Sequence, residues 1–229
     1  MNIGISFIIL IAAYLLGSVP FGVIIVKLKT GEDVRNVQSG RTGGTNAMRA
    51  AGFWAGFSTA ILDLLKATVA VWIAIWIVPD MDWIHALAPV MVILGHNYSI
   101  FLMERDENGK THLRGGAGGA SSAGGAMGLW LPTILFILPI AGFILYFVGY
   151  ASVATLSSPI ITTIVFVVLA WKGILPWEYV AYGVLAFILL AWSLRPNIHR
   201  LMKGNERLIG LRAKRAAQNA TSAPEAKNL

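Results

Sequence analysis

RGGAGGASSAGG, residues 114–125, decides how this chain is counted. Seven of the fourteen residues from Gly115 to Gly128 are glycine, and the run lies between two strongly apolar stretches. Three readings are open: a flexible linker, a close-packed helix seam, or a backbone cradle for an anion. As a weakly apolar membrane span it brings the number of spans to seven; otherwise there are six.

Around this run, 56% of the 229 residues are hydrophobic and 13% are charged, which is the balance of a membrane protein rather than a soluble domain. Apolar runs occupy residues 3–26, 54–78, 84–103, 129–148, 160–171 and 177–194. Most approach the roughly 20 residues a helix needs to cross a hydrocarbon core. The first run has no basic stretch before it and is too long for a signal-peptide core, so it is read as a retained helix. The absence of cysteine excludes disulfides and thiol chemistry.

Charge placement chooses between six and seven. With seven spans, the basic segments 27–49 and 105–114 and the tail from Arg195 share one side, which the positive-inside rule makes the cytoplasm. Asp80, Asp82 and Glu178 fall on the other side with Lys172. Six spans would place the basic tail opposite the 27–49 loop. The expected fold is all-α: a polytopic membrane protein with seven transmembrane helices over residues 1–210, N-terminus outside and C-terminus cytoplasmic. A basic, disordered tail is expected over 211–229. The net charge of +7, placed this way, needs no nucleic acid.

Within the first span, Pro20 removes a backbone donor between Gly17 and Gly22, so a kink is expected whose freed carbonyls need internal partners. The Gly, Ser, Thr and Asn density of residues 30–52 reads as a loop. Asp63 and Lys66, three apart and about 14 Å into the second long apolar helix, share one face and must point at protein or water. Pro159, after Ser157 and Ser158, suits the first turn of a helix.

The polar clusters at residues 39–49, 96–99, 114–122 and 155–158 all fall at one membrane face. Transporters usually keep their polar site near the midplane; this distribution suits an enzyme that draws one substrate from the cytosol and another from the lipid. Successive N–H groups of a glycine loop form an anion-binding nest, and Arg114, Ser121 and Ser122 could add donors. The pairs Gly115/Gly119 and Gly124/Gly128 equally suit helix packing. Four scattered histidines without HExxH give no metal site, and no GxSxG motif suggests a serine hydrolase.

The spaced motifs resemble those of the bacterial membrane acyl-phosphate:glycerol-3-phosphate acyltransferases. Gly17, Ser18, Pro20, Phe21 and Gly22 match the family's G-S-x-P-F-G, and Gly31, Asp33, Val34 and Arg35 its G-x-D-[IV]-R. Ser39, Gly40, Gly43, Thr45, Asn46 and Arg49 match its S-G-N-I-G-A-T-N-x-x-R. Leu94, Gly95, His96 and Asn97 match L-G-H-N, and Gly115, Gly116, Gly118 and Ala120 the following glycine loop. Residues 155–158 are similar to a serine-rich third motif, and Asn197, Ile198, Arg200, Leu201, Gly204 and Glu206 to the segment after the last helix. The resemblance extends to about Gly210.

The departures cluster where chemistry is expected. Ala117 stands where the family has lysine, Ser121 where it has threonine, and residues 41–44 read Arg-Thr-Gly-Gly instead of Asn-Ile-Gly-Ala. Roughly nine residues are inserted before Leu113. Arg41, Lys110 and Arg114 are the candidates to replace the lost charge.

The resemblance implies acyl transfer from an acyl phosphate to the 1-hydroxyl of glycerol 3-phosphate, giving lysophosphatidate and phosphate, with no cofactor or metal. Catalytic positions would be Ser39, Arg49, His96 and Ser157. Substrate-binding positions would be Thr45, Asn46, Asn97, Arg114, Gly115, Gly116, Gly118, Ser121 and Asn197. The protein would be a monomer in the bacterial cytoplasmic (inner) membrane, with its site facing the cytoplasm. The alternatives are a divergent member that binds a phosphorylated lipid precursor or transfers another group, and a small transporter or lipid-binding protein.

Overall fold

The computed structural model describes residues 3–222. The first apolar run is broken where Pro20 interrupts it, into α1 (Ile3–Ser18) and α2 (Phe21–Thr30). The carbonyls at the break find internal partners: Ser99 Oγ donates to Ser18 O at 2.6 Å and Lys66 Nζ to Val19 O at 3.1 Å. Helices α4 (Phe53–Ile77) and α5 (Asp82–Asn97) follow, with α3 (Gly44–Ala51) preceding α4. The segment read as a loop thus contains two helical turns. Asn46 to Ala51 are tolerable helix formers once Gly43 has turned the chain, and an added Cβ at Gly44 would lie 2.7 Å from Gly56 O, so α3 sits directly on α4.

After α5 come a two-stranded hairpin, β1 (Met103–Arg105) paired with β2 (Thr111–Leu113), then α6 (Gly119–Leu129) and α7 (Ile134–Phe143). A π-helical turn over 144–148 ends α7. Helices α8 (Ala151–Trp171), α9 (Trp177–Ser193), α10 (Arg195–Met202) and α11 (Gly210–Ser222) complete the chain. Helix α8 starts earlier than the sequence suggests, so Pro159 lies inside it. The tail, read as disordered from residue 211, is helical as far as Ser222. Ile209 N donates to Gly149 O at 2.9 Å and Arg212 Nη1 to Val148 O at 3.1 Å, holding it against the α7–α8 elbow. Residues 223–229 lie outside the described residues.

Among the described residues, five segments are long and apolar enough to cross a membrane, or six if the bent pair of α9 and α10 is one span. Their outer faces expose Ile8, Trp72, Trp76, Leu135 and Ile164, apolar surface that lipid rather than water must cover. The protein is a multi-pass membrane protein whose spans are all helical, with one short hairpin outside them.

The glycine run divides. Helix α6 has eleven residues, about 16 Å at 1.5 Å per residue, and eight of them are buried. It is an interior seam against α4: a Cβ at Gly124 would stand 2.0 Å from Leu64 O and one at Gly128 2.8 Å from Val71 Cβ. Thr68 Oγ1 donates to Gly124 O at 2.8 Å and Tyr182 Oη to Ser122 O at 2.6 Å. Gly124→Ala is therefore expected to lower the melting midpoint in detergent, since overpacking costs about 1–3 kcal/mol. An unchanged midpoint would contradict the seam. Residues 114–118 are not helical and belong to the site.

Candidate active site

Two loops meet at the end of the bundle where α5 finishes. The first runs from Val37 to Gly43. Asn46 shapes it, its Nδ2 facing the carbonyls of Val34, Val37 and Arg41, each at 2.9 Å. Gln38 adopts φ +47, a conformation uncommon for a residue with a side chain, and Arg207 Nη2 holds its carbonyl at 3.1 Å. The second loop runs from Arg114 to Gly118. Gly116 N donates to His96 O at 2.9 Å, and Thr42 N donates to Gly115 O at 3.3 Å, joining the loops. Cβ atoms at Gly115 and Gly116 would fall 2.2 Å from His96 O and 1.9 Å from His96 Nε2, and Gly118 has φ +85. No side chain fits this path.

Between the loops and helices α3, α4 and α8 lies a chamber of about 280 Å³. Ser39, Thr45, Asn46, Arg49, His96, Gly118 and Asn197 line it, all of them expected site residues. A neighbouring groove of about 360 Å³ is lined by Ser39, Asn97, Arg114, Gly115 and Gly116, with Arg41 between the two cavities. Ser121 and Ser157 line neither. Ser121 Oγ donates to Asp63 O at 3.1 Å and Ser157 Oγ to Ala154 O at 2.8 Å. From α8 it is Ser152 and Thr155 that reach the chamber.

The charge in the chamber is mostly positive. Arg49 makes no hydrogen bond or ion pair among the described residues. Burial, and secondarily the repulsion of Arg207, holds its pKa below the usual arginine value, yet a guanidinium stays protonated at neutral pH. Arg41 is buried further, and that burial likewise lowers its pKa. Its Nη1 donates to Gly116 O at 3.1 Å and Ser193 Oγ at 2.9 Å, and its Nη2 to Ser193 O. No carboxylate touches it among the described residues. Glu206, buried at the chamber edge, is instead matched by Asn197 Nδ2 at 2.8 Å and Arg200 Nε at 3.2 Å.

Of the three candidates to replace the charge missing at Ala117, Arg41 is therefore the one beside it. Ala117 lines the same chamber, and Arg41 is bound to the preceding carbonyl. Arg114 pairs with Glu104 at 2.7 Å, and Lys110 is exposed on the hairpin. Glu104 also meets Arg35 Nη1 at 2.5 Å, while Arg35 holds the Asp33 carboxyl below its usual pKa. Glu104 thus ties the hairpin to Arg114 at the start of the second loop and to Arg35 in the turn that precedes the first.

One chamber wall is apolar, formed by Met48, Phe53, Phe57, Ala60 and Leu145. Phe53 and Phe57 stack at 5.9 Å and are exposed on the outer surface. At the inner end, Asp63, Lys66 and His96 are packed together and buried: Asp63 Oδ1 stands 2.8 Å from Lys66 Nζ and 3.3 Å from His96 Nδ1. Sequence spacing pairs Asp63 with Lys66 but gives no hint that His96, from another helix, closes on them.

A membrane-embedded helical bundle with a cationic, glycine-walled chamber open to an apolar face defines an integral membrane protein built to handle phosphate-bearing amphiphiles. The family model for glycerol-3-phosphate acyltransferase matches residues 7–204, and the chain belongs to that family. A glycerol-3-phosphate acyltransferase of Thermus thermophilus is 35% identical over 204 residues, 89% of this chain and 95% of the relative. One from Halalkalibacterium halodurans is 33% identical over 208 residues, 90% and 96% of the two chains. The crystal structure of PlsY (YgiH), an integral membrane glycerol 3-phosphate acyltransferase, in its glycerol 3-phosphate form superposes with a TM-score of 0.76 at 30% identity, covering 90% of this chain and 96% of that one. Its lysophosphatidic acid form gives a TM-score of 0.73 at 28% identity.

Proposed function

We propose that this acyltransferase moves an acyl group from an acyl phosphate to the 1-hydroxyl of glycerol 3-phosphate in phospholipid synthesis. The hydroxyl oxygen attacks the acyl carbon, the bond from that carbon to the phosphate oxygen breaks, and the hydroxyl proton passes to a phosphate oxygen. Lysophosphatidate and inorganic phosphate leave. The observation that carries this reading is the pair of arginines, Arg41 and Arg49, lining one chamber with no carboxylate in contact with either among the described residues. Two phosphates brought together repel, and fixed donors aimed at them do the work of neutralising and aligning. Arg49 and Ser39 hold phosphate, Thr45 and Asn197 orient the acceptor, and the groove with Arg114, Gly115, Gly116 and Asn97 takes the second phosphate. The acyl chain leaves over Phe53 and Phe57 toward lipid.

The topology follows the charges. Seven segments cross, α6 being the shortened interior one; the N-terminus is outside, and the chamber opens to the cytoplasm of the inner membrane. Residues 1–210 form the catalytic unit, acting as a monomer. The lack of native cysteine gives a clean topology test. With Asn108→Cys on the exposed hairpin, an impermeant maleimide is expected to react only in inverted vesicles, and with Asp80→Cys only in right-side-out ones. The reverse pattern would overturn the orientation.

Purified protein supplied with glycerol 3-phosphate is expected to form lysophosphatidate and equimolar phosphate from palmitoyl phosphate, and none from palmitoyl-CoA. Equal use of the thioester, or no product from a folded sample while a family enzyme is active alongside, would overturn the assignment.

A further inference from the structure

We infer that Lys66 is a positioning residue that fixes the proton of His96 on Nε2, so that this imidazole is a hydrogen-bond donor to the anion in the chamber and not a base. The inference rests on the reading of the chamber as a phosphate site.

An ammonium has three donors and no acceptor. Lys66, with only 2% of its side chain exposed, has three acceptors around Nζ: Val19 O at 3.1 Å, Asp63 Oδ1 at 2.8 Å and His96 Nδ1 at 3.1 Å. One is a carbonyl released by the break at Pro20, one a carboxylate a turn away on α4, and one a ring nitrogen from the last turn of α5. Since lysine cannot accept, His96 Nδ1 must present its lone pair to it. A neutral imidazole with an accepting Nδ1 carries its proton on Nε2.

Asp63 also approaches Nδ1, at 3.3 Å, and taken alone it would favour the opposite tautomer. Two features decide against that. The Lys66–His96 contact is the shorter of the two, 3.1 Å against 3.3 Å, and meets hydrogen-bond geometry. A proton on Nδ1 would also point at a buried ammonium. Protonating both nitrogens would put two cations against a single carboxylate among groups that are 5% exposed or less, and burying an incompletely paired charge is costly.

The other edge of the ring is the useful one. His96 lines the chamber, and its Nε2 abuts Gly116, where a Cβ would come within 1.9 Å. Glycine at 116 and lysine at 66 serve the same nitrogen from opposite sides: one leaves it reachable, the other keeps it protonated. The hydroxyl proton of the acceptor then has no home on His96.

The test is a long-range proton–nitrogen NMR correlation on full-length protein labelled with 15N-histidine, in detergent at pH 7.5. His96 is assigned among the four histidines by the signal lost in His96→Gln. The expected pattern is a pyrrole-type Nε2 and a pyridine-type Nδ1. In Lys66→Met, Asp63 becomes the only acceptor beside the ring, so the tautomer is expected to invert and kcat to fall at least tenfold. A wild-type Nδ1–H tautomer, or two pyrrole-type nitrogens, would overturn the inference, and this reading holds even if Lys66→Met does not fold. Because the tautomer is read without turnover, the assigned pattern in a protein inactive toward acyl phosphate would sink the functional reading and leave the positioning role intact.

Discussion

Arg49→Ala is expected to lower kcat/KM for glycerol 3-phosphate by at least about 100-fold, with elution and melting in detergent unchanged. Arg49 is a half-buried guanidinium on α3 that holds no other part of the protein: it has no hydrogen bond or ion pair among the described residues, so its removal leaves no buried partner stranded. What is lost on the proposed reading is one charged, forked donor to a phosphate in a partly enclosed chamber. Removing a single preorganised donor of this kind costs about 2.7–4 kcal/mol, or a hundred- to a thousandfold in rate. Arg49→Lys keeps the charge without the fork and is expected to fall between the two. Normal turnover by Arg49→Ala would remove Arg49 from the site.

Arg41→Ala is expected to be as severe for a different reason. Arg41 carries charge into the chamber, but it also ties the glycine loop at Gly116 O to the end of α9 at Ser193. Truncation removes the guanidinium from Ser193 O and Ser193 Oγ and leaves Gly116 O only the longer bond from Ser193 Oγ at 3.4 Å, so the loop loosens as the field weakens. A kcat loss of about 100- to 1000-fold is expected. The double variant Arg41→Ala with Ala117→Lys separates the two contributions. Lysine at 117 returns a cation to the same chamber and is expected to restore at least tenfold, while the untied loop keeps it below wild type. No recovery would mean that Arg41 acts only as a brace. Ala117→Lys alone, beside an intact Arg41, is expected to bring no gain, because like charges would then crowd one another.

The sequence made most of this architecture legible because membrane spans and broken helices announce themselves locally. Pro20 between glycines predicted the break, and the apolar runs predicted the spans. What it hid were contacts across distance. Helix α3 stays hidden because glycine and threonine density outweighs the short Asn46–Ala51 stretch, whose helix is stabilised by lying on Gly56. Residues 211–222 read as disordered because their anchors, the Gly149 carbonyl and the π-helical turn, lie 60 residues upstream.

The site divides along the same line. Most expected residues converge on the two cavities because motif spacing reports them. Ser157 enters through the resemblance to a serine-rich motif, whereas in α8 its hydroxyl turns back to Ala154 O and Ser152 and Thr155 line the chamber. Arg41 stood out only as a departure from a pattern; that it reaches Gly116 and Ser193 is written in no local spacing.

The central claim is that the chamber transfers the acyl group directly between two bound substrates, without an enzyme nucleophile. There is no cysteine, and His96, with Nδ1 facing Lys66, is not placed as a base for a serine. The most direct measurement is the initial rate with acyl phosphate and glycerol 3-phosphate varied together. Double-reciprocal lines that intersect are the predicted result, since both substrates must be present before bonds change. Parallel lines, accompanied by an acyl adduct on the protein in intact mass spectra, are the ping-pong signature of a covalent intermediate and would contradict the account.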